Sequence, residues 1–314
     1  MERLVSVIML AYNRERFLKE AIQSVLGQTW REIELIILDD GSTDNSLEVI
    51  SSFNDLRIRY VYENHTGHAS RLRNQGIALA RGEWIAFIDS DDVWEYEKLE
   101  WQMSHVLRET APSFSFTYFK TVDSAGKVLS QSHPYGAVLP ETLFATLVTG
   151  KAYVYPSTVL FSKSCIDKAG MFHEGFPWTD NEFIQRLAYH FPVHIVSRPL
   201  VSITKHETNV SNKLSFLINT VAEMEFAATR FYMQKAIDKD VFRICMAQCH
   251  FYRGKSLLFQ RKGVAALRAF VRSIRYRPFS LRSWYMAAVS VVFPLLNAPI
   301  GRALIPGEKQ VLWS

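Results

Sequence analysis

Between Val241 and Pro306 the chain holds no Asp or Glu, yet the same stretch carries Arg243, Arg253, Lys255, Arg261, Lys262, Arg268, Arg272, Arg275, Arg277, Arg282 and Arg302. Residues 1–240 are the reverse, with 30 acids against 24 bases, so the net charge of +5 describes neither part. An acidic body with no nucleic-acid motif argues against DNA or RNA as a partner. Cysteine is scarce: Cys165, Cys245 and Cys249 are odd in number and form no C-x-x-C pair, which excludes a disulfide framework and a zinc site and fits a reducing compartment. Cys245 and Cys249 keep helical spacing beside His250 but lack further ligands, so they read as core. No G-x-G-x-x-G follows the first apolar run, which removes the dinucleotide oxidoreductases. Long hydrophobic runs are missing too. The longest uncharged stretch, residues 283–301, is broken by Pro294, Asn297 and Pro299; it reads first as an element on a membrane surface, with a spanning helix as the alternative. At the N-terminus a short apolar segment runs straight into charge, without a basic leader or cleavage site, so a strand and no signal peptide is expected.

What is present is the composition of a folded protein, 314 residues with 48% hydrophobic and 21% charged. The first 120 residues alternate two periods, the mark of βα units around a largely parallel sheet. Continuous β-branched runs at 4–10, 33–38, 58–62 and 84–88 read as strands. Helical patterns fall at 16–28, at 43 or 44 to about 53 with Thr43 or Asp44 as cap, at 67–80 and at 95–109. Strands buried without alternation require helices on both faces. Beyond residue 110 the pattern loosens into strands at 113–122 and 154–161, a helix at 180–189 and an extended segment at 193–204. From about Lys213 it is wholly helical, at 216–235, 241–259, 263–276 and 282–292. The expected organisation is a first domain of residues 1–212, in two halves (1–110 and 111–212), followed by a basic helical region, 213–314.

In open α/β sheets a ligand lies beyond the carboxyl ends of the strands. Those ends carry Ala11-Tyr12-Asn13, Asp39-Asp40, Asn64-His65 and Asp89-Ser90-Asp91-Asp92. Asp39, Asp40, Asp89, Asp91 and Asp92 are thus expected to converge on one rim, where like charges repel unless a cation or a hydrogen-bonding ligand compensates. Helix capping alone accounts for Asp44 or one of Asp91 and Asp92, not for all five.

These segments resemble the family 2 glycosyltransferases, enzymes of the GT-A fold. The resemblance rests on S-V-I-M-L-A-Y-N (residues 6–13), L-I-I-L-D-D-G-S-T-D (35–44), R-N-Q-G-I-A-L-A-R-G-E-W-I-A-F-I-D-S-D-D (73–92) and, more loosely, T-D-N-E-F (179–183), in family order over about 200 residues. It implies an inverting, metal-dependent transfer of sugar from a nucleotide donor. By that resemblance Asp91 binds the ribose and Asp92 ligates Mn²⁺ or Mg²⁺, with Asp89 supporting the motif or reaching the metal through water; which carboxylate is the direct ligand stays open by one position. Asp40 accepts from the base ring, Tyr12 packs on that ring, and Ala11 lines the cleft through its backbone. Arg73 contacts the base or phosphates, with Arg71 as its competitor. His206 resembles part of a loop that folds over the diphosphate.

An inverting transfer needs a base for the acceptor hydroxyl. Asp180, after the loop Gly175-Phe176-Pro177-Trp178, is the candidate; it also suits a helix cap. The family's usual Glu-Asp pair is Thr179-Asp180 here. His65 and His68 carry no assignment. In the basic region Arg268, Arg272, Arg275 and Arg277 border apolar residues and lead into the uncharged segment, as in a helix lying on an anionic leaflet; a solvated helical hairpin packed on the catalytic domain is the alternative. The expected partners are a nucleotide sugar, a glycan or lipid-linked glycan acceptor, and the inner face of the cell membrane as a peripheral site. A non-catalytic nucleotide-sugar-binding protein is the rival, left room by Thr179.

Overall fold

In a computed structural model of the chain, residues 3–108, 111–132 and 139–292 are described. The chain divides into two compact units, Met1–Leu147 with Lys151–His206, and Val148–Gly150 with Glu207–Ser314.

The elements through the first unit are β1 (Val5–Ala11), α1 (Leu18–Leu26), β2 (Ile33–Asp39), α2 (Ser46–Ser51), β3 (Ile58–Tyr62), α3 (Ala69–Leu79), β4 (Trp84–Asp89), β5 (Val93–Trp94), α4 (Lys98–Val106), β6 (Phe114–Asp123), β7 (Val128–Ser132), α5 (Leu143–Val148), β8 (Val159–Ser162), α6 (Ile166–Ala169), α7 (Asp180–His190) and β9 (Val193–Lys205). The strands form one sheet in the order β3-β2-β1-β4-β8-β6-β9-β5, with β7 beside β6. The β3-β2-β1-β4 half is parallel throughout. In the other half β6 runs parallel to β9, and the remaining pairings, including β4 with β8, are antiparallel.

Burial on both faces explains the unalternated strands. Val5, Val7 and Met9 of β1 join Leu35 and Ile37 of β2 under Ile22 and Val25 of α1 and Met103 of α4. Ile8, Ile36 and Leu38 point the other way, into a second cluster with Leu72 and Ile77 of α3 and Phe183 of α7. Each such side chain contributes about 1.5–3 kcal/mol when fully buried. Close approach of α3 depends on Gly76, where a Cβ would lie 2.6 Å from Ile8 Cγ2.

Chain direction out of β1 turns to β2 on one side, while β4 enters on the other. This reversal opens a crevice at the carboxyl ends of β1 and β4, where Leu10 and Asp89 stand in register.

Several expected boundaries differ. The strand expected at 154–161 begins only at Val159, because Pro156, which has no N–H to give a ladder, opens a 3-10 turn through Thr158. The α2 helix is shorter than its pattern; Asn45 stands at its cap position without a side-chain cap bond, and the Asp44 carboxylate accepts from the first helical amide, Ser46 N, at 3.0 Å. His68 stands at the cap of α3, its ring accepting from the Arg71 amide, so this helix starts two residues late. Neither the two-residue β5 nor the edge strand β7 is announced by a run of apolar residues.

The second unit is helical, with α8 (Leu214–Met233), α9 (Lys239–Phe259), α10 (Gly263–Tyr276) and α11 (Leu281–Val292). Asp238 caps α9 by accepting from Val241 N at 2.8 Å. Phe251, Leu258, Ala266, Phe270, Ile274 and Ala287 form a core across α9, α10 and α11. Among the described residues no helix is long and apolar enough to cross a membrane. The uncharged segment beyond Val292 and Arg302 lies outside the described residues.

Candidate active site

The crevice is built from strand ends. After β1 the chain passes through Asn13, whose φ of 51° is a left-handed value that Asn tolerates. The Asn13 side-chain oxygen accepts from Thr43 N at 2.8 Å, which ties this loop to the one after β2. Arg14 is thereby delivered to Asp91, its Nε 3.4 Å from Asp91 Oδ2.

The expected rim of five carboxylates is not a single cluster. Asp39 accepts from Ser42 N at 2.8 Å and from the Tyr60 hydroxyl at 2.9 Å. Asp40 accepts from Thr66 N, Thr66 Oγ1 and Gly67 N at 2.8–3.0 Å, and His65 Nδ1 lies 2.9 Å from its Oδ2. Both therefore hold loops. None of the five acts as a helix cap, so capping does not explain them either.

Asp89, Asp91 and Asp92 do sit together, and each meets different partners. Asp92 is 3% exposed. Ser157 Oγ donates to its Oδ2 at 2.6 Å and Thr204 N to its Oδ1 at 3.1 Å. Burial, reinforced by Asp91 and Asp89, holds its pKa well above the usual range, with Ser157 opposing. Asp91 accepts from His206 Nε2 at 2.8 Å, and the His206 ring stacks on Phe17 at 4.5 Å. Asp89 has the most open side chain of the three, 41% exposed. Protein packed around it still pushes its pKa up to about 6, against the pull of Arg73.

Arg73 and Arg71 are separated by the fold: Arg71 is exposed and Arg73 is buried. The Arg73 guanidinium donates to Asp180 Oδ1 and, at 3.3 Å, to Asp89 Oδ1, and it lies 5.8 Å and 5.7 Å from the Phe87 and Phe172 rings. Thr179, not Asp180, occupies the cap position of α7. Its hydroxyl lies 2.8 Å from Ser70 Oγ in a site closed to water, where a second acid would be costly. Asp180 is raised in pKa by burial, with Arg73 opposing. A carboxylate held this way is a stronger base than an exposed one.

Tyr12 stacks on His65 with ring centroids 4.0 Å apart and planes at 15°. The Ala11 carbonyl accepts from Asp40 N at 2.9 Å. The structure thus brings Asp89, Asp91, Asp92, Arg73, Asp180 and His206 together around the ends of β4 and β9, and Ala11, Tyr12 and Asp40 around the end of β1. Sequence reasoning missed Arg14, Ser157 and Lys205, and left His65 unassigned. For Arg14 the one available signal is its place two residues past the Tyr12-Asn13 strand end. Lys205 has its pKa lowered by burial, with Asp92 and Asp91 opposing.

Among the described residues no three His, Cys, Asp or Glu side chains are grouped as a ready metal cluster. Asp89 and Asp91 present hard carboxylate oxygens, which suit Mn²⁺ or Mg²⁺ shared with phosphate oxygens. A groove of about 670 Å³, bordered by Arg3, Trp84, Ser162 and Lys163, opens at the other end of β1 and β4 and holds none of these groups.

A sheet with a parallel half that carries carboxylates at its switch point, continued by a mixed half that leads to a further acid, is the architecture of the GT-A fold. The sequence profile of glycosyl transferase family 2 matches residues 6–168, and the chain belongs to that family. It is 33% identical over 183 residues, 57% of its length, to the Escherichia coli UDP-Glc:alpha-D-GlcNAc-diphosphoundecaprenol beta-1,3-glucosyltransferase WfaP. It spans 66% of that relative, and 48%, 42% and 29% of three other curated glycosyltransferases. Among solved structures, S. aureus TarS 1-349 in complex with UDP-GlcNAc is similar at a TM-score of 0.61 and 18% identity, with 93% of this chain and 92% of that one covered. The mannosyltransferase PcManGT from Pyrobaculum calidifontis, in complex with GDP-Man and Mn²⁺, is similar at 0.55 and 15%, covering 97% and 83%.

Proposed function

We propose that this chain is an inverting glycosyltransferase that moves a sugar from a nucleoside-diphosphate donor to a hydroxyl of a lipid-linked glycan, with Asp180 as the base. The observation that carries the reading is the Asp89–Arg73–Asp180 chain of contacts, which couples the acidic motif after β4 to an acid on α7 across the crevice.

Donor binding falls to Tyr12 and Ala11 on the base side, where Asp40 holds the loop of Thr66 and Gly67, Asp91 on the ribose side, and Arg14 and His206 on the diphosphate. Tyr12 offers a ring face once its stack with His65 opens. Asp89 and Asp91 are the residues that would hold a divalent cation, which supplies charge neutralisation for the leaving diphosphate. Asp92, with both oxygens engaged, serves to position them. Arg73 serves likewise, holding Asp180 and Asp89 rather than touching the donor. Asp180 accepts the proton of the acceptor hydroxyl as that oxygen attacks the anomeric carbon, and the bond to the diphosphate breaks on the opposite face. WfaP, by its name, glucosylates a diphosphoundecaprenol-linked GlcNAc; an acceptor of that class favours the reading of an enzyme bound peripherally at the inner face of the cell membrane. The sequence domains proposed above, 1–212 and 213–314, correspond to donor and acceptor chemistry in the first and membrane contact in the second.

The test is transfer from a panel of UDP- and GDP-sugars to detergent-solubilised GlcNAc-diphosphate-lipid, with Mn²⁺. Wild type should transfer one of them. Asp180→Asn should keep donor affinity by calorimetry and lose transfer by about 10²-fold or more. Near wild-type transfer by that variant would remove Asp180 as the base.

A further inference from the structure

We propose that the outward face of α11, with the turn before it, is the surface that docks on an anionic bilayer, a site resting on the lipid-linked acceptor reading above. The helix is turned inside out relative to an ordinary surface helix. Ser283, Ala287 and Ser290 are buried at 1%, 7% and 2% exposure, while Leu281, Trp284, Tyr285 and Val291 stand outward at 83%, 55%, 56% and 52%. The large apolar residues thus share one helical stripe, and it is the stripe that faces away from the core. Phe279, in the turn from α10, is 96% exposed and extends the same patch.

This orientation is held by polar contacts. Ser273 Oγ of α10 donates to the Ala247 carbonyl of α9 at 2.7 Å and lies 3.0 Å from Ser283 Oγ, which is 2.9 Å from Ser280 Oγ. A rotation of α11 that buried Trp284 would break this serine seam and leave hydroxyls without partners. The Trp284 indole N–H donates to the Pro278 carbonyl at 2.7 Å. Its one donor is therefore satisfied inside the protein, and the ring can enter an apolar phase without desolvating a free N–H.

The occupant is chosen by charge. Arg277 is exposed in the turn before α11 and Arg282 in its first turn, the Arg282 guanidinium lying 4.7 Å from the Phe251 ring, and residues 241–306 contain no acid to oppose them. Aromatic rings, aliphatic side chains and cations alone, on a helix face, match the boundary of a leaflet carrying negative headgroups. A protein partner of ordinary composition would meet an arginine rim with no carboxylate to complement its own cations.

The full chain should sediment with vesicles of phosphatidylcholine and phosphatidylglycerol and far less with phosphatidylcholine alone. Arg277→Ala and Arg282→Ala should each weaken that binding about fivefold at low salt, the change expected for one base near an anionic surface. Leu281→Asp/Trp284→Asp should abolish it while leaving transfer to the detergent-solubilised acceptor unchanged. The proposal is overturned if the wild-type chain stays in the supernatant, or if the double variant sediments as wild type does. It is also overturned if wild type is a dimer by sedimentation velocity and the double variant a monomer, which makes the face a contact between two copies. Loss of soluble-acceptor transfer by the wild type would instead count against the catalytic reading alone.

Discussion

Arg73 sits in a helix that the sequence marks only as one of two arginines in R-L-R-N, and its burial decides what it does. Facing Asp180 and Asp89 with Phe87 and Phe172 on its flanks, it is a fixed cation between two acids. Burial lowers its proton affinity, but Asp180 and Asp89 more than restore it. Arg73→Lys keeps the charge and loses the planar fork that reaches both carboxylates. We expect this variant to fold, to bind nucleotide, and to fall in kcat with little change in donor KM; kinetics with varied donor check it. Arg73→Ala leaves Asp180 and Asp89, both partly exposed, without their shared cation and should lower stability in urea denaturation. Ser157 is a second such residue. Its hydroxyl accepts from Asp89 N at 3.0 Å and donates to Asp92 at 2.6 Å, so one oxygen ties together both ends of the acidic motif. Ser157→Ala should cost about 1–3 kcal/mol of stability and weaken Mn²⁺-dependent nucleotide binding in calorimetry, while Asp89 and Asp91 remain in place chemically. None of this was legible in the sequence. Ser157 lies in Y-P-S-T-V, distant along the chain from the motif it supports, and only the pairing of β4 with β8 brings it there.

At the scale of elements, the parallel pairing of β1 with β2 buries a polar contact. Ser6 and Glu34 are register partners, and Ser6 Oγ donates to Glu34 Oε1 at 2.6 Å. Burial pushes the Glu34 carboxyl up, but the Ser6 hydroxyl and the Arg81 amide and guanidinium together bring it below its ordinary 4.5. A folded pKa below the unfolded one adds stability above the unfolded value and loses it as pH falls through the folded one. Wild type should therefore lose stability below about pH 4.5 partly through this group. Glu34→Gln should be less stable at pH 7 and show a shallower decline between pH 5 and pH 3, measured by thermal melts across that range. The strands and helices of the first 110 residues were readable because each is apolar on a period that its burial requires. The second half was harder, because β7 is an edge strand, β5 has two residues, and Pro156 interrupts an apolar run that looks continuous. Helix starts moved by a residue or two for a related reason. Asp44 accepts from Ser46 N at the start of α2, but its carboxylate also accepts from Glu15 N in the neighbouring loop, at 3.0 Å, so it serves two elements.

For the molecule as a whole, removal of divalent cations is the most direct check on how the acids are used. EDTA should abolish transfer, and nucleoside diphosphate should raise the melting temperature with Mn²⁺ present and much less without it. Equal transfer in EDTA would leave Asp89 and Asp91 without that role. The sequence by itself determined the family, the βα order, the acidic strand ends and the division into an acid-rich body and a basic helical tail, because these depend on local periodicity, spacing and composition. Tertiary structure alone decided which acids are available. Asp39, Asp40 and Asp92 spend their oxygens on loops brought close by the sheet, whereas Asp89, Asp91 and Asp180 meet bases from distant elements. The same holds for α11, whose helical pattern was plain but whose outward side was set by a serine seam between helices. Charge and periodicity are written along the chain; hydrogen-bond partners and exposure depend on what folding places opposite.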